Sequence, residues 1–338
     1  MPARSITSLH RSAPYLGAAM AAVPIAVGAA ALVRSCRAGC PTAVTYGVTG
    51  LDGVAYGLAL FVVAAGLTLI FGVMDVLNLA HGSLYLAGAY LTYLLSHGSL
   101  TALALALAAG ALLGAGGGAA LATALRPLTG HGHLHQALAS LGLANLAADA
   151  YTSIFGGAPL PVSPPEVLAG SLQLGRHGYP VYRLVFIAVA AAIAAAVYLV
   201  VARSRYGVLL RATVADPVMA AATGANTRRV QTTAMAAGGV LAVTGGVLAA
   251  PLIGPAPGVD TTVLVLSLIV VVIGGISTGT GRDVGRGGSI PGTLAAALLV
   301  GQVQTLGVLA APTAAPFALF AVLLTVLVAR SRTAGQPA

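Results

Sequence analysis

The chain contains a succession of apolar stretches that are long enough to cross a membrane. A helix needs about 20 mostly apolar residues to span a bilayer. Ten stretches approach or exceed this length: 13–33, 51–73, 79–96, 99–125, 135–156, 181–202, 232–253, 262–279, 290–311 and 314–330. Only 7% of the residues are charged, whereas a soluble domain has about 25%. The sequence therefore predicts an all-α, polytopic transmembrane helical bundle of about eight to ten spans, because some of the stretches are short.

The distribution of positive charge predicts how these spans are oriented. All 16 basic residues are arginines, and cytoplasmic loops carry an excess of Lys and Arg. If ten spans alternate from a cytoplasmic N-terminus, twelve arginines lie inside: Arg4, Arg11, Arg126, Arg203, Arg205, Arg211, Arg228, Arg229, Arg282, Arg286, Arg330 and Arg332. Four lie outside: Arg34, Arg37, Arg176 and Arg183. We therefore predict a multi-pass protein of the plasma (inner) membrane with both termini in the cytoplasm.

The first apolar stretch also allows a second interpretation, a cleaved signal peptide. We favour a membrane span, because the stretch is longer than a usual signal core and lacks a clear small-x-small cleavage site. Cys36 and Cys40 follow it in the predicted outer loop. That compartment permits a disulfide, and two free thiols are the slightly favoured alternative.

The absence of lysine excludes two kinds of chemistry. A P-loop needs a lysine on the phosphates, and a pyridoxal-phosphate enzyme needs one for its Schiff base. The glycine-rich stretch 274–285 is therefore not a P-loop, and its third glycine falls one residue late for a dinucleotide site. No catalytic pattern is present, so we predict no enzyme and no cofactor bound by this chain. The net charge of +9 is interpreted as membrane topology, and no nucleic-acid partner is expected.

A group of polar residues interrupts the apolar sequence between 55–71 and 84–95. It runs from Gly72 to Tyr85 and includes Asp75, Asn78, His81, Ser83 and Tyr85, with Gly82 among them. Polar side chains are costly in hydrocarbon, so such a group predicts a functional site. The alternative is a re-entrant turn or helix cap whose polar groups satisfy the local backbone.

Other polar residues give weaker predictions. Asp149 falls in the outer half of the fifth stretch, where it could attract a substrate ammonium group or be a hydrated acid near the interface. His131, His133 and His135 alternate in a predicted loop, but no Cys or acid lies close in sequence, so no metal site is predicted.

The predicted cytoplasmic loop 203–231 carries a short capped helix. Asp216 is a good N-cap, Pro217 suits the first helical position, and Gly224 suits the position after the C-cap. The predicted helix spans 217–223 and is too short to be stable alone. It exposes Val218 and Met219, and therefore packs either on its own membrane domain or on a cytoplasmic partner.

Two further segments have predicted structural roles. Glycines recur every four residues at Gly53 and Gly57, and again at Gly110, Gly114 and Gly118. This spacing lets membrane helices approach closely. The outer loop 157–179 is rich in proline, which predicts an extended, stiff segment that is either a docking surface or a linker.

Several motifs resemble the permease subunits of branched-chain amino-acid ABC importers. They are Gly-Leu-Thr-Leu-Ile-Phe-Gly (66–72), Asn-Leu-Ala-His-Gly (78–82), the loop 203–224 with Asn-Thr-Arg-Arg-Val-Gln (226–231), Ala-Val-Thr-Gly-Gly-Val-Leu (242–248), Val-Ile-Gly-Gly-Ile (272–276) and Gly-Ser-Ile-Pro-Gly-Thr-Leu (288–294). The resemblance runs from about residue 47 to 332. It divides the chain into an N-terminal extension (1–46), a permease domain (47–332) and a cytoplasmic tail (333–338).

The resemblance implies partners and residue roles. Two permeases, the same or different, would form the pore in the lipid bilayer, with cytoplasmic ABC ATPase subunits that use ATP and an extracytoplasmic solute-binding protein. The translocation path would involve Asn78, His81, Gly82, Ser83, Tyr85 and Asp149. The short helix would couple to the ATPase through Arg211, Asp216, Pro217, Met219 and Gly224. Helix breaks and close packing would lie at Gly274, Gly275, Pro291 and Gly292.

Some features depart from the family pattern and leave alternatives open. Ser83 stands where the family often has an acid, and residues 278–287 lengthen a cytoplasmic connection. Branched-chain or related amino acids are the expected substrates, and urea, amides or another small solute are alternatives. A different class, the autonomous secondary transporter or channel, would use His81, Asp75 or Asp149 as proton or ion groups.

Overall fold

The computed structural model describes residues 43–74, 78–96, 98–128, 133–174, 177–274, 290–310, 312 and 315–333. Its helices are α1 (Ala43–Met74), α2 (His81–Leu95), α3 (Leu100–Leu125), α4 (His133–Phe155), α5 (Val181–Arg203), α6 (Arg205–Ala215), α7 (Pro217–Ala222), α8 (Thr227–Ile253), α9 (Val259–Gly274), α10 (Ile290–Ala310) and α11 (Ala315–Thr333). Strands β1 (Ser171–Leu174) and β2 (His177–Pro180) form one antiparallel pair. The expected first span, Cys36, Cys40, Asp75, His131, Gly275 and the insertion 278–287 lie outside the described residues.

The prediction of an all-α membrane bundle is confirmed. Each expected span from 51–73 onwards coincides with a helix of the described residues. Five helical segments there are long and apolar enough to cross a membrane: Val44–Gly72, Leu100–Leu128, Val181–Arg203, Thr227–Ile253 and Ile290–Ala310. Helix α2 has only 15 residues. It is therefore shorter than the roughly 20 residues that a full crossing needs.

The chain divides into two compact units, residues 1–54 with 299–338 and residues 55–298. Within the first unit, the Gln302 side-chain amide donates a hydrogen bond to the Gly50 carbonyl at 3.0 Å. A side chain on Gly53 would meet Gln302 and Thr305. The second unit contains the polar group at 78–85 and the cytoplasmic loop.

Helix α8 lies at the centre of the second unit, and glycines set how closely its neighbours approach. Gly114 and Gly118 of α3 face the backbone of Gly239 and Met235. A Cβ on Gly246 of α8 would overlap the Tyr85 carbonyl of α2. Because membrane helices gain stability from close packing rather than from the hydrophobic effect, small residues are needed where backbones meet. The buried glycines of α3 thus have the packing role that their spacing predicts.

A proline inside α8 leaves one carbonyl that a neighbouring helix satisfies. Pro251 has no N–H, so the Val247 carbonyl lacks its usual partner four residues later. The Thr92 hydroxyl of α2 donates to that carbonyl at 3.4 Å, and the Tyr182 hydroxyl of α5 donates to the next carbonyl, that of Leu248, at 2.7 Å. An unsatisfied carbonyl is costly in a membrane, and the two bonds hold α2 and α5 against the C-terminal half of α8.

The loop 157–179, which the sequence predicts to lie outside, differs from the extended segment that its prolines predict. Glu166–Leu168 form a 3₁₀ turn, and β1 pairs with β2 from Ser171 opposite Pro180 to Leu174 opposite His177. The Glu166 N–H donates to the Gly98 carbonyl at 2.7 Å, and the Leu160 N–H to the Pro255 carbonyl at 3.0 Å. The loop is folded because its backbone groups find partners in two neighbouring connections.

Candidate functional site

The polar group at 78–85 forms the start of the short helix α2. The Asn78 side-chain oxygen accepts a hydrogen bond from the Ala80 N–H at 3.1 Å, and the Ser140 hydroxyl accepts from the Leu79 N–H at 3.0 Å. These bonds satisfy N–H groups just before the helix, where no intrahelical partner exists. Asn78 is buried, and its amide nitrogen has no hydrogen-bond partner among the described residues.

His81 and Ser83 bond to the backbones of other helices. The fully buried His81 ring donates from Nε2 to the Val63 carbonyl at 3.0 Å, while its Nδ1 has no partner among the described residues. The Ser83 hydroxyl donates to the Ala144 carbonyl of α4 at 3.4 Å. The polar side chains therefore tie α2 to α1 and α4, in keeping with the interpretation that they satisfy backbone groups.

Gly82 and Tyr85 lie where α2 meets α9 and α8. A Cβ on Gly82 would overlap the Asp260 carbonyl and would lie 3.0 Å from the Leu264 side chain. Tyr85 is buried with Val63, Ala249 and Val263. The beginnings of α2 and α9 are thus in direct contact.

The loop 203–231, which the sequence predicts to be cytoplasmic, contains a helix that the sequence did not predict. Helix α6 begins after Ser204, whose hydroxyl accepts a hydrogen bond from the Gly207 N–H at 3.1 Å. Its apolar side packs Leu210 against Val230 and Ala234 of α8. The Arg211 guanidinium donates to the Val201 carbonyl, which ties α6 to the end of α5. Arg211 is therefore a link between two helices of this chain.

The predicted short helix is confirmed as α7, with both of its caps. The Asp216 carboxylate accepts hydrogen bonds from the N–H groups of Val218 and Met219, at 2.9 and 3.0 Å. At the other end, the Gly224 N–H bonds to the Ala221 carbonyl and the Ala225 N–H to the Ala220 carbonyl, with Gly224 at a φ of +89°. This is the Schellman arrangement, which favours glycine at that position.

Helix α7 presents apolar side chains to solvent. Val218 is 75% exposed and Met219 is 65% exposed, whereas Ala220 is buried. Exposed arginines precede and follow it in the sequence, at positions 203, 205, 211, 228 and 229. An exposed apolar tip in a basic segment is typical of a docking surface for a partner of complementary charge.

The remaining predicted site residues are spread over the unit. Asp149 is exposed on α4. A Cβ on Gly274 would lie 2.7 Å from the Thr293 backbone, so the end of α9 packs closely on the start of α10. Gly292 is buried and Pro291 is exposed in the first turn of α10.

The sequence predicts a loop for the histidines after Arg126, whereas the structure places two of them in a helix. Helix α4 begins at His133, so His133 and His135 lie in its first turn. Within the part of the chain that the structure describes, no three His, Cys, Asp or Glu residues are grouped as a metal site would require.

Sequence reasoning missed one buried acid, Asp260. It is the second residue of α9 and is only 5% exposed. The predicted span began at 262, so this acid was assigned to the preceding connection. An isolated acid that directly precedes a long apolar run was the signal that could have identified it.

An open cleft lies beside the folded loop 157–179. Its volume is about 610 Å³, and Tyr93, Ser96, Pro161, Ser163 and Glu166 are among its lining residues. Tyr93 of α2 packs edge-on against Phe155, with ring centroids 6.5 Å apart. Tyr93 thus takes part both in the cleft lining and in an aromatic contact between α2 and α4.

Comparison with known proteins identifies relatives of the chain. Residues 50–329 match the family described as branched-chain amino acid transport system / permease component. The chain is 24% identical over 276 residues to the high-affinity branched-chain amino acid transport system permease protein BraD of Pseudomonas aeruginosa, covering 76% of this chain and 84% of BraD. It is 25% identical over 269 residues to the corresponding protein LivH of Escherichia coli K12, covering 75% of this chain and 83% of LivH. No solved structure matches. Because the family match covers most of the sequence, the chain belongs to the family of branched-chain amino acid transport system permease components.

Proposed function

We propose that the chain is the membrane-spanning permease subunit of an ABC importer for branched-chain or related amino acids. The observation that carries this proposal is α7, a short helix capped at both ends that exposes Val218 and Met219 in a segment rich in exposed arginines. An autonomous carrier has no need of such a helix, whereas a permease driven by separate ATPases needs a contact for them. The chain itself would do no chemistry, and ATP would be hydrolysed by its partners.

The proposed roles follow the three regions of the second unit. Asn78, His81, Gly82, Ser83 and Tyr85 would shape the translocation path by holding the start of α2 against its neighbours. Asp149 would face the path from α4. Asp216, Pro217, Met219 and Gly224 would form the ATPase contact, and Arg211 would link it to α5. Gly274, Gly275, Pro291 and Gly292 would permit helix breaks and close packing.

The partners would be cytoplasmic ABC ATPase subunits, a second permease and an extracytoplasmic solute-binding protein. The test is to purify the tagged chain from its native membranes in mild detergent and to identify the co-purifying proteins by mass spectrometry. We expect an ATPase that contains a P-loop, and ATP-dependent leucine uptake when the complex is placed in proteoliposomes. A chain that purifies alone and moves solute without ATP would instead support an autonomous transporter.

The same proposal predicts the orientation of the loops in the plasma (inner) membrane. In a background with Cys36 and Cys40 replaced by alanine, Val218→Cys should react with an impermeant thiol reagent only after the cells are opened. Val167→Cys, which replaces a side chain that is 76% exposed on the outer loop, should react in intact cells. Labelling of both variants from the same side would contradict the proposed topology with cytoplasmic termini.

A further inference from the structure

Three arginines lie at the ends of membrane-spanning helices, on the side of the bundle that the sequence predicts to be cytoplasmic. Arg126 is near the end of the apolar segment Leu100–Leu128, and Arg228 and Arg229 are in the first turn of Thr227–Ile253. All three side chains are exposed. The ends of a span lie at the level of the lipid headgroups, because its apolar residues fill the hydrocarbon core. These arginines are therefore at the depth of the lipid phosphates.

The packing of α3 against α8 brings Arg126 and Arg228 to the same place. The Arg126 guanidinium donates a hydrogen bond to the Thr232 hydroxyl at 2.8 Å, and that hydroxyl donates to the Arg228 carbonyl at 2.9 Å. Residues four apart share one face of a helix, so Arg228 and Thr232 lie on the same side of α8. Met235, one turn further along this side, is where the backbone of α8 meets Gly118 of α3. Arg228 therefore lies on the side of α8 that faces the end of α3.

Arg229 lies on a different side of α8, the side that faces α6. The Thr233 hydroxyl, one turn after it, donates to the Arg229 carbonyl at 2.8 Å and lies 3.0 Å from the Tyr206 hydroxyl of α6. Helix α6 leads directly into α7, the proposed ATPase contact. The two neighbouring arginines therefore belong to different surfaces, because Arg228 is next to α3 and Arg229 is next to α6.

The charge at the start of α8 is strongly positive. Asp216 is the only acid between residues 199 and 259, and its carboxylate accepts the N–H groups at the start of α7. Like charges that lie close together repel each other, so arginines that converge favour an anion between them. A guanidinium group has five N–H donors and binds phosphate oxygens in a paired geometry. The chemistry of the position therefore suits a phosphate group.

An exposed stripe of α3 leads to the same position. Leu105, Leu112, Gly116 and Thr123 are exposed and follow one another at intervals of seven or four residues, which places them on one face of the helix. The Thr123 hydroxyl donates to a carbonyl of its own helix at 2.8 Å, so the stripe offers a mainly apolar surface. It ends one turn before Arg126. An apolar face that ends at arginines matches a phospholipid, whose acyl chains lie along the span and whose phosphate lies at its end.

From this geometry we infer that Arg126 and Arg228 bind the phosphate of an anionic phospholipid whose acyl chains lie along the exposed stripe of α3. This lipid site goes beyond the proposed import function and does not depend on it. A lipid with net negative charge is preferred, because a zwitterionic headgroup carries its own cation beside the phosphate. The bound lipid holds the ends of α3 and α8 together on the side away from α6. The competing partner for Arg228 is an acidic side chain of the ATPase.

The test measures lipid binding to the full chain, purified in mild detergent without partner proteins. Phosphatidylglycerol is titrated while the melting temperature is recorded, which gives an apparent affinity, and phosphatidylcholine and inorganic phosphate are the reference ligands. Phosphatidylglycerol should stabilise the wild type more than either reference. Arg126→Gln and Arg228→Gln should each weaken the apparent affinity about fivefold, the loss expected for one arginine at an anionic surface. The matched control Arg229→Gln removes the same charge on the side of α6 and should keep the wild-type affinity.

Each variant is compared with itself in the absence of lipid, so a change in its own stability does not affect the result. Equal losses in all three variants would overturn the lipid site, because they would show a diffuse attraction between positive charge and anionic lipid. Equal stabilisation by inorganic phosphate would show a site for free anions instead. Wild-type affinity in both Arg126→Gln and Arg228→Gln would show that neither arginine binds lipid. Loss of the co-purifying ATPase from Arg228→Gln would then assign that arginine to the ATPase contact.

Discussion

Replacing Met219 with aspartate should abolish uptake while leaving the chain folded in the membrane. Met219 is 65% exposed at the tip of α7, so the substitution costs this chain little stability. A carboxylate placed in an apolar contact loses its hydration, and truncating a central interface residue commonly costs 2 kcal/mol or more. We therefore expect at least about a thirtyfold loss of ATPase affinity, measured by co-purification and by uptake.

Graded variants test whether α7 itself carries the contact. Asp216→Ala removes the hydrogen bonds to the N–H groups of Val218 and Met219, which costs about 1 kcal/mol of helix stability. It should reduce uptake several-fold without abolishing it. The matched control for Met219→Asp is Val208→Asp. It also places an aspartate at an exposed apolar position, since Val208 is 58% exposed on the neighbouring α6. Normal uptake in both the Met219 and the Asp216 variants would contradict the assignment of α7 as the coupling helix.

Helix α7 was predictable from the sequence and α6 was not, and both outcomes have the same physical reason. Asp216, Pro217 and Gly224 act on backbone groups within a few residues of themselves, so their effect can be predicted from sequence. Helix α6 also depends on the packing of Leu210 against α8, about twenty residues further along the chain. Ser204 caps its start, but the sequence has no proline at its first position and no glycine just after its end.

The polar residues at the start of α2 show the same limit of prediction from sequence. The sequence indicates that polar residues in an apolar region need partners, but not which partners. His81 bonds to Val63 on α1 and Ser83 to Ala144 on α4. These contacts are set by packing between helices, as is the contact between Gly82 and Asp260. The spans were predictable because their length and apolarity are local properties.

Replacing Gly114 with leucine should prevent stable folding of the bundle. A Cβ at this position would lie 2.5 Å from the Gly239 carbonyl oxygen and 2.7 Å from the Val240 Cα. Both of these atoms belong to the backbone of α8, so no flexible side chain can move away to relieve the overlap. Overpacking a core typically costs about 1–3 kcal/mol even where side chains adjust. We expect a loss beyond that range, seen as a lower melting temperature in detergent and little protein in the membrane.

Gly116 provides a matched control two residues away on α3. Nothing lies within 4 Å of a Cβ at Gly116, and Gly116→Leu changes intrinsic helix propensity by the same amount as Gly114→Leu. This control should keep or raise the melting temperature. Equal stability of the two variants would show that α3 and α8 are further apart than the structure places them. A difference between them would show that the glycine spacing of α3 sets the helix separation, because propensity, side-chain size and position along the helix are all matched.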